Sequence, residues 1–90
     1  MAVTVHKFGV PYGPGAFVLW LPSDAEPLCV QLQYGNPQIW VRLDPDAPCV
    51  SHLFDVVGTG QPCPSTDRYL GTFQQGDGAL VWHVFYGGPR

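Results

Sequence analysis

Ninety residues leave room for one domain, and a chain this short buries only about 60 % of the surface that its unfolded form exposes. Four basic and seven acidic residues give a net charge of −3, with Lys7, Arg42, Arg68 and Arg90 scattered, so no basic stripe exists to displace counterions from a nucleic-acid duplex. A hydrophobic content of 46 % excludes a disordered tail, and only 12 % charged residues predict that apolar surface is covered in a homo-oligomer.

The segment Met1–Lys7 has no basic region followed by a long apolar stretch, so no signal peptide is expected. The longest apolar run, Ala16 to Leu21, is too short to cross a bilayer, and no membrane association is expected. Cys29, Cys49 and Cys63 are odd in number and widely spaced. That suits three reduced thiols in a cytoplasmic protein better than a disulfide framework.

Nine prolines between positions 11 and 64 cut the first two thirds into pieces too short for ordinary helices. What remains is a series of short runs rich in β-branched and aromatic residues. Strands are predicted at Val3–Phe8, Ala16–Leu21, Leu28–Tyr34, Gln38–Leu43, Val50–Val57, Tyr69–Gln75 and Leu80–Tyr86. In the third run Leu28, Val30, Leu32 and Tyr34 share one face; in the fourth Ile39, Val41 and Leu43 oppose Gln38, Trp40 and Arg42. Gly35-Asn36-Pro37 is expected to connect these two as an antiparallel pair.

Asp44–Pro48 and Gly58–Arg68 are predicted loops, with Asp44 and Asp46 capping backbone amides. Gly76-Asp77-Gly78 supplies the positive φ of a tight hairpin turn between the last two strands. The seventh run is apolar on both faces, apart from His83, and Val50–Val57 resembles it. Strands without a polar face are usually central, covered on both sides or sitting at a subunit interface. The predicted fold is therefore a single all-β domain, a compact antiparallel sandwich or small barrel of six to seven strands.

No chemistry announces itself. Cys49 and His52 have a ligand-like spacing, but two residues do not hold a metal, and no metal or cofactor is expected. No pattern places a thiol or hydroxyl beside a base, so catalytic residues are not assigned and enzymatic activity is not expected. His83, framed by Trp82 and Val84, reads as a satisfied core histidine. The most pointed local feature is Gly58-Thr59-Gly60, where glycines could turn backbone amides outward into an anion-binding nest. Arg68, at the far end of the same loop, offers a planar fork for phosphate or carboxylate. Tyr69, Trp40 and Arg42 offer stacking surfaces for a flat ligand. These seven residues form the predicted ligand site.

The order Ile39-Trp40, Asp44-Pro45, Phe54-x-Val56-Val57-Gly58-Thr59-Gly60-x-Pro62, Tyr69-Leu70-Gly71-Thr72-Phe73-Gln74 and Gly78-Ala79-Leu80-Val81-Trp82-His83-Val84-Phe85 resembles a family of small uncharacterised phage-encoded proteins. The resemblance covers nearly the whole chain. Members often carry His where this chain has Gln61, so no catalytic or metal role is carried over to that position. The resemblance implies a phage protein working in the cytoplasm of an infected bacterium. Two functions are then expected to compete. One is a counter-defence binding module that sequesters a nucleotide-derived immune signal or blocks a host defence protein. The other is a virion accessory or assembly protein without a small-molecule ligand.

Overall fold

The computed structural model describes residues 2–64 and 67–90, and they form seven strands and no helix. In chain order these are β1 (Thr4–Gly9), β2 (Gly15–Pro22), β3 (Glu26–Gln33), β4 (Asn36–Leu43), β5 (Cys49–Gly58), β6 (Arg68–Gln75) and β7 (Leu80–Pro89). They build two antiparallel sheets, a three-stranded one ordered β1-β4-β3 and a four-stranded one ordered β2-β5-β7-β6. The all-β expectation is met, and the architecture is the sandwich. The two strands read as apolar on both faces, β5 and β7, are the central pair of the larger sheet.

The core lies between the sheets. Val30, Ile39, Val41 and Leu43 face it from the smaller sheet, and Leu21, Phe54, Val56, Leu70, Phe73 and Val84 face it from the larger. Phe54 is fully buried and stacks on Phe17 with ring centroids 5.3 Å apart, while Tyr86 packs at 5.2 Å on its other side. Three aromatic rings in contact supply apolar area that short aliphatic side chains could not.

One polar side chain sits fully inside this core. His52 has no exposed surface, and its Nε2 lies 3.1 Å from the Pro22 carbonyl oxygen. A carbonyl can only accept, so Nε2 carries the proton and donates. Its Nδ1 is then an acceptor, filled by the Tyr86 hydroxyl at 2.8 Å. Both ring nitrogens are satisfied, as a buried polar group requires.

The sheets are sutured where β3 meets β6. Gly71 has φ +151° and lies at a bulge in β6. A Cβ added there would stand 3.1 Å from Val30 Cγ1, so glycine is what lets the two edges approach. Three residues earlier in β6, the Arg68 guanidinium donates to the Pro27 carbonyl across the same seam.

Two local readings need correction. The β3–β4 turn is Tyr34-Gly35, not Gly35-Asn36-Pro37; both residues have positive φ, 52° and 78°. That is the geometry whose twist suits a two-residue hairpin, and Asn36 and Pro37 already pair with Gln33 and Leu32. Tyr34 consequently projects into solvent. On β3 only Val30 of the expected apolar face is buried: the bulge between Pro27 and Cys29 turns Leu28 out of register, and Leu32, next to the hairpin end, is half-exposed.

The Asp44 turn behaves as expected. Its carboxylate accepts from the Asp46 amide at 2.9 Å and its carbonyl from the Ala47 amide at 3.1 Å. Of the predicted loop 58–68, residues 65 and 66 lie outside the described residues.

Candidate functional site

Two cavities of this molecule lie at one end of the larger sheet, around the chain reversal that follows β5. Gly58-Thr59-Gly60-Gln61 is a β-turn closed by the Gln61 amide donating to the Gly58 carbonyl at 3.1 Å. Gly60, with φ +86°, occupies its third position, where the left-handed conformation favours glycine. The Thr59 amide donates to the Val81 carbonyl at 3.3 Å. Of the three predicted amide donors, that of Thr59 is consumed internally, and Gly60 serves a strand-ending turn.

Two cavities flank that turn. The larger, about 770 Å³, is open and is walled by Pro14 at the entry to β2, by Val57 and Pro62, and by Leu80, Val81 and Trp82 at the start of β7. It exists because β5 outruns its neighbour: the β2 ladder begins at Gly15 opposite Val56, so β5 beyond Val56 has no strand on that side. The Trp82 indole forms one wall. It is held by its Nε1–H donating to Gln75 Oε1 at 2.9 Å, and it lies against Gly58, where a Cβ would meet the ring at 3.5 Å. Among the described lining residues the single charged side chain is Asp55.

The smaller cavity, about 190 Å³, opens on the outer face of the same sheet beneath Thr59, Gly60, Cys63 and Phe85. Its floor is a polar chain centred on His83. Nε2 lies 2.7 Å from Thr59 Oγ1, and Nδ1 lies 2.8 Å from the Tyr69 hydroxyl, which also bonds Thr72 Oγ1. A neutral imidazole has one donor and one acceptor, so one of these hydroxyls donates to the ring while the other accepts. The network pins the turn after β5 to β7 and β6 together. His83 is thus on the outer face, not in the core as its flanking residues suggested.

The predicted site residues divide. Gly58, Thr59, Gly60 and Tyr69 come together here, but Arg68, Trp40 and Arg42 do not. Arg68 leaves β6 on the opposite face from Tyr69; its guanidinium lies 5.6 Å from the Tyr86 ring centre and bonds Pro27. Trp40 and Arg42 lie on the outer face of the smaller sheet, each engaged by the residue directly across the ladder. Lys7 sits 6.0 Å above the Trp40 ring, and Glu26 pairs with Arg42, whose hydrogen bond and charge hold the Glu26 carboxyl below its ordinary range. None of the four basic residues lines either cavity.

Sequence reasoning missed His83, although a signal existed. The turn at Gly76–Gly78 fixes the β6–β7 register, and that register puts Thr72 directly opposite His83. Cys49 and His52, three apart along β5, point to opposite faces, Cys49 into solvent and His52 into the core. Among the described residues no group of three or more metal-ligating side chains occurs, and no helix is long and apolar enough to cross a membrane.

No curated protein and no solved structure matches this chain. The family comparison does match, over residues 1–90: the chain belongs to the family described as Domain of unknown function (DUF7352).

Proposed function

We propose that this protein is a non-catalytic binding module that receives an apolar group of a partner protein in the cleft beside Trp82. In the phage setting that the resemblance implies, it acts in the host cytoplasm by occupying a host defence protein. The observation that carries this reading is the lining of the cleft. An indole, four valine and leucine side chains, an alanine and two prolines surround about 770 Å³, within the range of ordinary ligand sites, with a few polar groups at the rim.

The same lining disfavours a nucleotide-derived signal as the guest. A bound phosphate needs cations or free amides, yet Arg42 is paired, Arg68 is turned to the sheet seam, and the Thr59 and Gln61 amides are spent. The Asp55 carboxylate beside the cleft and the net charge of −3 repel a further anion.

Calorimetry separates the two guests. Peptides carrying exposed leucine or tryptophan should give heat with the wild type and lose it with Val81→Arg, which puts a charge in the lining of the cleft. Cyclic dinucleotides and ADP-ribose derivatives should give none. Saturable heat from a nucleotide, undiminished in Val81→Arg, would overturn the proposal. In cells, expression should restore plaque formation by a defence-sensitive phage on a defended host, and Val81→Arg should not.

A further inference from the structure

A two-sheet sandwich has four edge strands, each presenting unpaired N–H and C=O groups to any extended chain that approaches. Here three of the four carry the features that deter such pairing. β1 holds Lys7 in its middle. β3 begins with Glu26-Pro27 and is bulged immediately after. β6 begins with Arg68, is bulged at Gly71, and lies against β3 across the sheet seam.

β2 carries none of them. Gly15–Pro22 has no charged residue, its ladder with β5 runs unbroken from Gly15 opposite Val56 to Pro22 opposite Cys49, and proline stands only at its last position. Its outward side chains are Ala16, Val18 and Trp20, with Val18 51 % and Trp20 71 % exposed. An unbulged, uncharged, eight-residue edge with an exposed indole is a template for strand addition.

We propose that β2 is the seam along which two copies of this chain pair, antiparallel, about a twofold axis at Val18. The side-chain sizes select that register. With Val18 of each copy facing the other, Ala16 of one copy stands opposite Trp20 of the second, and the reverse holds across the axis. The largest outward side chain then covers the smallest, twice, and no like charges meet although each copy is acidic. Antiparallel pairing joins the two four-stranded sheets into one continuous sheet. An edge of eight residues is short for a standard stable interface, which buries roughly 800 Å² per partner, so the dimer is weak and concentration-dependent.

Sedimentation equilibrium of wild type, Val18→Lys, Val18→Glu and an equimolar mixture of the two variants tests this. The expected results are a concentration-dependent wild-type dimer, association of each variant weakened by about tenfold or more, and dimer restored in the mixture, where lysine meets glutamate. Three outcomes overturn the proposal: a wild type that stays monomeric to millimolar concentration, a Val18→Lys protein that dimerises as wild type does, or a mixture that stays monomeric. Should the variants not fold, hydrogen exchange on wild type decides. Amides of β2 must slow with rising concentration while those of β1 do not; equal behaviour of the two edges refutes the seam.

Discussion

Replacing His52 by leucine tests how much of this small fold rests on one buried polar connection. His52 links β2, through the Pro22 carbonyl, to β7, through the Tyr86 hydroxyl, across the middle of the larger sheet. The Pro22 carbonyl keeps its other donor, the Ala25 amide at 2.9 Å, so losing the His52 donor costs about 0.5–1.5 kcal/mol. Tyr86 is half-buried and can turn its hydroxyl toward water, which limits that loss to about 0.5–1.5 kcal/mol. Burying leucine in place of imidazole returns roughly 1 kcal/mol. The net destabilisation is centred on about 1 kcal/mol within a range of about 0–2, set against the 5–15 kcal/mol typical of a domain. Urea titration followed by tryptophan fluorescence should show the midpoint falling by about 1 M with the slope unchanged. Tyr86→Phe leaves Nδ1 without its donor and should cost about 1 kcal/mol or more. The double variant should lose less than the two single losses added together. A midpoint for His52→Leu within about 0.3 M of wild type, with additive losses in the double variant, would refute the view that this pair ties the strands together.

Alkaline titration offers a second check. Burial raises the Tyr86 hydroxyl above its ordinary 10.0, against a smaller opposing pull from the Arg68 cation. The unfolded chain therefore loses this proton first, and stability should fall as pH climbs from 10 through the folded value. Tyr86→Phe should flatten that slope, and an unchanged slope would clear Tyr86 of the effect. Gly71→Ala places a methyl 3.1 Å from Val30 on backbone at φ +151°, and should cost about 1–3 kcal/mol in a thermal or urea melt. A neutral substitution there would mean that the β3–β6 seam is not tight. Thr59→Val removes one hydrogen bond from His83 at an exposed site, so global stability should change by less than about 1 kcal/mol. Amide exchange at Gly60 and Gln61 should nonetheless accelerate, and protection equal to wild type would show that the network does not hold the turn.

Strand positions were legible because proline and glycine punctuate the chain and aromatic and β-branched residues fill the intervals. Each strand begins and ends within three residues of its expected place. The central positions of β5 and β7 followed from their lack of a polar face. The β3–β4 turn was misplaced because tyrosine seldom adopts the left-handed conformation that Tyr34 holds at φ 52°. The predicted site was half legible. Tyr69 and the Gly58–Gly60 reversal were found as neighbours in the chain, but adjacency says nothing about faces. Arg68, next to Tyr69, points the opposite way because successive strand residues alternate. Trp40 and Arg42 belong to the other sheet, a separation that no local pattern encodes. The apolar cleft beside Trp82 escaped notice because it arises where one strand outruns its neighbour, a property of pairing register and not of composition.

Proton–nitrogen correlation NMR with small aromatic and aliphatic fragments interrogates the Trp82 cleft directly. The Trp82 indole N–H, held on Gln75, and the Gly58 amide beside the ring are its reporters. Fragments should shift both saturably, leave Trp40 and the outer face of the smaller sheet unmoved, and lose their effect in Val81→Arg, while nucleotides shift neither. Shifts that spare Trp82 and Gly58 and cluster instead at Arg42 and Arg68 would contradict the assignment of the cleft as the place where a guest is held.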